Sequence, residues 1–61
     1  MIRLDISYQF VGKFLPEIAG KIGNVVRVID DVFVEFEVFD GTEKVPYRVK
    51  VSNLIPVIPE G

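Results

Sequence analysis

The sequence predicts a small all-β domain in which five short strands close into a barrel, and three observations lead to that prediction. Short runs of alternating apolar and polar residues recur along the chain, as expected for strands with one face in a core. Turn-forming residues separate these runs, and no stretch shows the residue spacing of a helix. The chain has 61 residues, of which 49% are apolar, including five Phe and two Tyr. This composition favours a folded core over disorder.

The first strand is predicted over residues 2–10 by an unbroken alternation. One face carries polar side chains, and the other carries Ile2, Leu4, Ile6, Tyr8 and Phe10. The pattern then stops, because Gly12, Pro16 and Gly20 interrupt residues 11–21. This second stretch is therefore predicted to be a long packed loop.

Two further strands flank an acidic turn. Residues 23–29 are rich in β-branched side chains and end at Asp30 and Asp31, which are typical of tight turns. The third strand begins directly afterwards, and its two faces are Val32, Val34, Phe36 and Val38 on one side and Phe33, Glu35, Glu37 and Phe39 on the other. Asp40-Gly41 then predicts a hairpin.

The fourth strand, predicted over residues 45–51, carries an outward proline. Its apolar face holds Val45, Tyr47, Val49 and Val51. Pro46 cannot donate a hydrogen bond to a ladder, so it predicts an edge strand or a bulge. Residues 53–57 predict one helical turn running into a short last strand, and residues 59–61 are expected to fray. Residues 1–58 are thus predicted to form one domain.

The charges on the third and fourth strands predict cross-strand ion pairs and no catalytic carboxylate pair. The apolar faces coincide only if even positions of the third strand oppose odd positions of the fourth. One allowed register gives three neighbouring pairs: Glu37 with Arg48, Glu35 with Lys50, and Phe39 with Pro46. Surface ion pairs of this kind contribute about 0–1 kcal/mol each.

The order of these elements predicts an SH3-like barrel. A long first loop, a tight turn, a hairpin and one helical turn join the strands, and closure hides most of the sheet edges. The alternative is a barrel of the oligonucleotide-binding type. That fold usually inserts a helix between its third and fourth strands, where this chain has only a hairpin.

Composition excludes several classes of function. The chain has no Cys and no His, so a disulfide framework, a thiolate metal site and the usual near-neutral proton carrier are all absent. We therefore expect no enzymatic activity, no cofactor and no metal. The spacing of Asp30 and Asp31 favours a turn over a cation site, and Gly20 and Gly23 precede no helix that could receive a phosphate.

No membrane association is expected from the sequence. No apolar stretch approaches the roughly 20 residues of a membrane helix. The first residues do not begin a signal peptide, so a cytoplasmic location is expected.

Three segments resemble the KOW motif and its continuation in SH3-like barrel proteins: Gly20-Lys21-Ile22-Gly23-Asn24-Val25-Val26-Arg27-Val28, residues 32–37, and Val51-Ser52-Asn53-Leu54-Ile55-Pro56. The order looks most like that of archaeal and eukaryotic large-subunit ribosomal proteins, which implies RNA binding within a ribonucleoprotein. The chain departs from that family in its net charge of −2 and in lacking a Gly-Asp start to the first strand. A weaker similarity to small SH3-like docking subunits of photosynthetic or ferredoxin-linked complexes implies protein contact instead.

Two sets of residues are candidates for binding. If the partner is RNA, the residues expected to contact phosphates are Lys13, Lys21, Arg27, Arg48 and Lys50. If the partner is a protein, the expected docking residues are Phe14, Leu15, Phe33 and Phe39, because the last two lie on a strand face that meets water. Alternatively, Phe33 and Phe39 pack under the loop against Phe14, Leu15 and Ile18.

The expected function is therefore that of a non-catalytic binding module, with RNA or a ribonucleoprotein as one partner and a docking protein as the alternative. The RNA hypothesis requires the cations to share one surface. Docking requires a contiguous apolar patch around Phe33 and Phe39. A homo-oligomer, the third hypothesis, requires that patch to be self-complementary.

Overall fold

The computed structural model describes residues 2–58, which form an all-β fold with five antiparallel strands in a single sheet. The strands are β1 (Ser7–Phe10), β2 (Ile22–Val28), β3 (Phe33–Phe39), β4 (Lys44–Lys50) and β5 (Leu54–Val57). The sheet order is β4-β3-β2-β1-β5, and one-turn 3-10 helices lie at Pro16–Ile18 and Val51–Asn53. The predicted fold class, a small five-stranded SH3-like barrel with a long first loop and a one-turn helix before the last strand, is confirmed.

The core lies on one face of the curved sheet and is entirely apolar. The inward positions of β3 follow the predicted alternation, with Val34 and Phe36 fully buried. Across residues 2–58, the buried set is Tyr8, Phe10, Ile18, Val25, Val34, Phe36, Val38, Val49 and Leu54. No buried side-chain nitrogen or oxygen in this range lacks a hydrogen-bond partner. Burial of apolar surface is therefore the main source of stability.

The first strand begins at Ser7, so the prediction of a strand from residue 2 was wrong. The ladders of β1 with β2 and β5 involve only Ser7–Phe10. Before that, the chain bends. Arg3 and Asp5 form an ion pair at 2.6 Å, and the backbone N–H of Arg3 donates to the hydroxyl of Tyr8. The bend exposes 57% of Leu4, which the alternation had placed in the core.

The strands β2 and β3 approach closely at Gly23. A Cβ at this position would lie 2.3 Å from the backbone oxygen of Glu37, so only glycine fits. Gly20 has a φ of +77°, which glycine adopts without steric cost. Both glycines thus serve backbone geometry, as predicted. A bulge between Val25 and Arg27 lies further along β2.

The register of β3 with β4 keeps the predicted parity but differs by two residues from the predicted pairing. The outward pairs are Phe33 with Lys50, Glu35 with Arg48, Glu37 with Pro46, and Phe39 with Lys44. The hairpin explains the difference. Asp40 accepts hydrogen bonds at 2.8 Å from the backbone N–H groups of both Thr42 and Glu43. These bonds close a four-residue loop, whereas the predicted pairing needed a longer one.

The remaining connections largely follow the predictions. Asp30 accepts backbone hydrogen bonds from Val32 and Phe33 at 2.8 Å, which confirms the acidic turn. Pro46 lies on β4, an edge of the sheet. The predicted helical turn begins two residues earlier than expected, at Val51, whose carbonyl accepts a hydrogen bond from the N–H of Leu54.

Residues 59–61, which were expected to fray, lie outside the described range. Within residues 2–58, none of the helices has the length and apolar character needed to cross a membrane.

Candidate functional site

The loop of residues 11–21 folds over one end of the sheet. The backbone N–H of Gly20 donates to the carbonyl of Phe10, and the N–H of Val11 donates to the carbonyl of Asn53, at 2.9 and 2.8 Å. Ile18, which is 2% exposed, anchors the loop in the core. These contacts hold the tip of the loop beside the start of β3 and the end of β4.

A cleft lies between this loop and the sheet. We name it the Phe14 cleft and define it by Phe14, Leu15, Phe33, Arg48, Lys50 and Asn53. It has a volume of about 200 Å³ and adjoins a second depression of about 360 Å³, which shares Phe14, Lys50 and Asn53 and adds Lys13. Phe10 and Val49, both core residues, form the floor of the cleft.

Phe14 and Leu15 are held in contrasting ways. Phe14 exposes 79% of its surface, whereas Leu15 is half-buried against the core. Leu15 has φ 60° and ψ 62°, a left-handed conformation that costs roughly 1–2 kcal/mol for a residue with a Cβ. Pro16 follows and opens the 3-10 helix. A strained residue therefore lines the cleft, as is common where a loop must present side chains to a ligand.

Cations surround the apolar surface of the cleft. The guanidinium carbon of Arg48 lies 6.0 Å from the centroid of the Phe33 ring, at the outer limit of a cation–π contact. Lys50 lines both depressions, and Lys13 lines the larger one. The site thus combines an apolar floor with a basic rim.

An acidic residue lies near the same rim. The backbone N–H groups of Phe33 and Val32 hold the pKa of Asp30 below its usual range, and Arg48 lowers that pKa further by charge attraction. The carboxylate of Asp30 is therefore occupied by hydrogen bonds from the backbone of its own turn.

The five cations predicted from the sequence do not share one surface. Lys13, Arg48 and Lys50 lie around the Phe14 cleft. Arg27 does not line the cleft. It pairs with Glu35 at 3.9 Å, and Glu35 lies opposite Arg48 on β4, so Arg27 shares the outward face of the sheet with Arg48. Lys21 lies near the hairpin, where its charge adds to the effect of the Glu43 and Thr42 N–H groups in lowering the pKa of Asp40.

The docking residues predicted from the sequence divide in the same way. Phe14, Leu15 and Phe33 meet in the cleft, as the packing alternative anticipated. Ile18 lies in the core instead. Phe39 is 60% exposed at the other end of β3, roughly 20 Å along the strand from Phe33. Phe33 and Phe39 therefore do not form one patch.

Two features of the surface were not predicted from the sequence. Asn53 lines the cleft because it ends the 3-10 helix before β5, and no sequence pattern marked it for this position. Leu4 lies near Phe39 because of the bend at residues 3–5. The opposite charges two residues apart, Arg3 and Asp5, are consistent with this bend because they form an ion pair, but the same spacing also suits a strand.

Within residues 2–58, no group of three or more acidic side chains is arranged to hold a metal ion. Comparisons of the chain with protein-family models, curated proteins and solved structures found no match. The interpretation of the site therefore depends on its geometry and charge.

Proposed function

We propose that this protein is a cytoplasmic, non-catalytic binding module whose Phe14 cleft holds an extended acidic segment of a partner protein. One observation carries the proposal: an exposed aromatic residue and an apolar floor lie beneath a rim of three cations, Lys13, Arg48 and Lys50. The ligand that fits has a bulky apolar side chain for the cleft and carboxylates for the rim.

Phe14 supplies the apolar part of the recognition. Because 79% of it is exposed in the free protein, a ligand that covers it gains up to about 2–3 kcal/mol from burial of the ring. Aromatic residues in central, desolvated positions commonly dominate the binding energy of protein interfaces. Backbone hydrogen bonds at Val11 and Gly20 anchor the loop that carries this ring, which limits the backbone entropy lost on binding.

The cations supply selectivity. The chain as a whole has a net charge of −2, yet the rim of the cleft is locally basic. Arg48, Lys13 and Lys50 belong to neither of the two ion pairs found within residues 2–58. Lys13 and Lys50 are therefore available to carboxylates of a ligand, whereas Arg48 also attracts Asp30 and lies opposite Glu35. The positive charge of the rim selects against basic segments.

Single-stranded RNA is the second candidate. Cations beside an exposed aromatic ring are also what base stacking and phosphate contact require, and the resemblance to KOW proteins favours this ligand. However, Lys21 lies near the hairpin, and Arg27, although on the same face of the sheet as Arg48, is paired with Glu35 and does not line the cleft. Three cations make a small basic field for a nucleic-acid site, so we place RNA second.

An amide-shift titration of the labelled protein tests the proposal. The probes are a short peptide with a central Leu flanked by Glu, the same peptide with Lys in place of Glu, and a single-stranded RNA pool. We expect the acidic peptide to shift the amides of residues 11–15 and 48–53, and the basic peptide to shift none. Shifts with RNA alone, lost at moderate salt, would favour the second candidate and overturn the first.

Matched variants locate the site. Phe14→Ser and Arg48→Glu should each weaken binding of the acidic peptide by about tenfold or more. Phe39→Ser is the control, because it removes an equally large exposed ring away from the cleft. Equal losses from Phe14→Ser and Phe39→Ser would contradict the assignment of the ligand to the cleft.

A further inference from the structure

A second apolar surface lies at the opposite end of β3 from the Phe14 cleft. We name it the distal patch and define it by Leu4, Ile22, Val26 and Phe39, which are 57%, 54%, 41% and 60% exposed. Sequence alternation alone does not bring them together. The bend at residues 3–5 and the bulge in β2 do so, by turning Leu4 and Val26 outward.

The distal patch is large for a domain of this size. Its four side chains expose on the order of 400 Å² of apolar surface, within the range of the largest patch on a typical monomer. Such a patch on a small protein marks an interaction surface. It also belongs to a different cluster from the cleft, since the two share none of their lining residues.

The charges beside the patch identify the occupant that fits. Glu37 and Lys44 both line it and have opposite signs: Glu37 lies two residues before Phe39 on β3, and Lys44 lies opposite Phe39 on β4. Neither takes part in the two ion pairs found within residues 2–58. A twofold axis that passes between Glu37 and Lys44 sets each charge against its opposite in the second copy, which makes the surface complementary to itself.

We propose that the distal patch is the interface of a symmetric homodimer, in which Phe39 packs against the partner's patch and Glu37 of each copy pairs with Lys44 of the other. The patch is smaller than the roughly 800 Å² per partner of a standard interface. The dimer is therefore weak and reversible, with a Kd of roughly 10 μM to 1 mM. This proposal does not depend on the ligand of the cleft.

The arrangement leaves both clefts accessible. Because the Phe14 cleft lies at the other end of β3, two copies joined through their distal patches present two clefts. A partner with two suitable segments would then bind more tightly than a partner with one.

Sedimentation equilibrium over a wide range of protein concentration tests the dimer. We expect the wild-type protein to associate reversibly and Phe39→Ser to weaken association at least about tenfold. Phe14→Ser is the matched control and should associate like the wild type. A wild-type protein that stays monomeric at millimolar concentration would overturn the proposal, and so would equal effects of the two variants.

Charge reversal tests the symmetry and does not depend on removing an aromatic ring. Glu37→Lys alone and Lys44→Glu alone should each be monomeric, because each sets like charges together twice. An equimolar mixture of the two variants should associate again, since every contact then joins opposite charges. Circular dichroism confirms that each variant is folded. Folded variants that fail to associate when mixed would overturn the twofold arrangement.

Discussion

The two ends of β3 carry the same residue on the same face, yet they have different surroundings. Phe33 and Phe39 both point away from the core, and Glu35 and Glu37 lie between them. Phe33 is half-buried beside Phe14 and Leu15, whereas Phe39 is 60% exposed. The loop of residues 11–21 covers one end of the strand only. A side chain's role on this face is therefore decided by what folds over it.

The charges at the two ends differ as well. Three cations and one acid, Asp30, lie at the Phe33 end, whereas the patch at the Phe39 end is lined by one acid and one base, Glu37 and Lys44. The first arrangement attracts an acidic ligand, and the second is complementary to its own copy. Variants and pH changes that act on one or both ends of β3 test how far the two ends are independent.

Phe36→Ala should disrupt both ends together and have the largest effect. Phe36 is 0% exposed in the middle of β3, and truncation of a buried Phe costs about 3–5 kcal/mol. The total stability of a small domain is of order 5 kcal/mol, so the variant should be largely unfolded in water. Urea unfolding followed by circular dichroism measures the loss. Phe39→Ala, on the exposed face of the same strand, should change stability by less than about 0.5 kcal/mol.

Gly23→Ala should disturb the Phe39 end more than the Phe33 end. The added Cβ would collide with the backbone of Glu37. We therefore expect the free energy of unfolding to fall by about 2–3 kcal/mol and amide exchange near residues 37–39 to become faster. Gly20→Ala is the comparison. A Cβ added at Gly20 would meet no atom within 4 Å, but the φ of +77° disfavours alanine. The free energy of unfolding should therefore fall by only about 1 kcal/mol. A larger loss from Gly20→Ala would contradict this account of the strand contact.

Lowering the pH should destabilise the turns at both ends of β3 by similar amounts, which should be smaller than the effects of the substitutions above. Each end of β3 has an Asp turn, and backbone N–H groups hold the pKa of both Asp30 and Asp40 below the usual value. Because the folded-state pKa is the lower one, this stabilisation is complete above the ordinary pKa of about 3.9 and is lost as the pH falls through the folded-state value.

Asp30→Asn and Asp40→Asn test that symmetry, because each keeps the oxygen acceptor but removes the titration. Urea midpoints measured from neutral to acidic pH should fall less steeply in each variant than in the wild type. A flattened profile for one variant and an unchanged profile for the other would show that the two turns are not equivalent.

Local pattern was enough to predict the parts of the fold that depend on neighbouring residues. The alternation of β3 predicted its buried face, and Asp30 and Asp40 predicted turns because their side chains bond to the backbone two and three residues ahead. Pro46 predicted an edge strand for a similarly local reason. The meeting of Phe33 with Phe14 and Leu15 was anticipated as a packing alternative.

The errors arose where the outcome depended on distant partners. Residues 2–6 alternate like a strand but have no neighbouring strand in the described sheet, so they bend. The register of the hairpin depended on the length of its loop, which parity does not decide. The separation of Lys21 from the other cations depended on where the loop of residues 11–21 meets the hairpin at Asp40.

The sequence by itself determined the all-β class, the buried face of each central strand and the sites of the turns, because these follow from side-chain period and from hydrogen bonds between near neighbours. Only the tertiary structure decided which exposed residues meet. The loop over Phe33 creates a basic cleft, and the bend at Leu4 with the bulge at Val26 creates an apolar patch around Phe39. Both result from contacts between segments far apart in the chain, which no local pattern encodes.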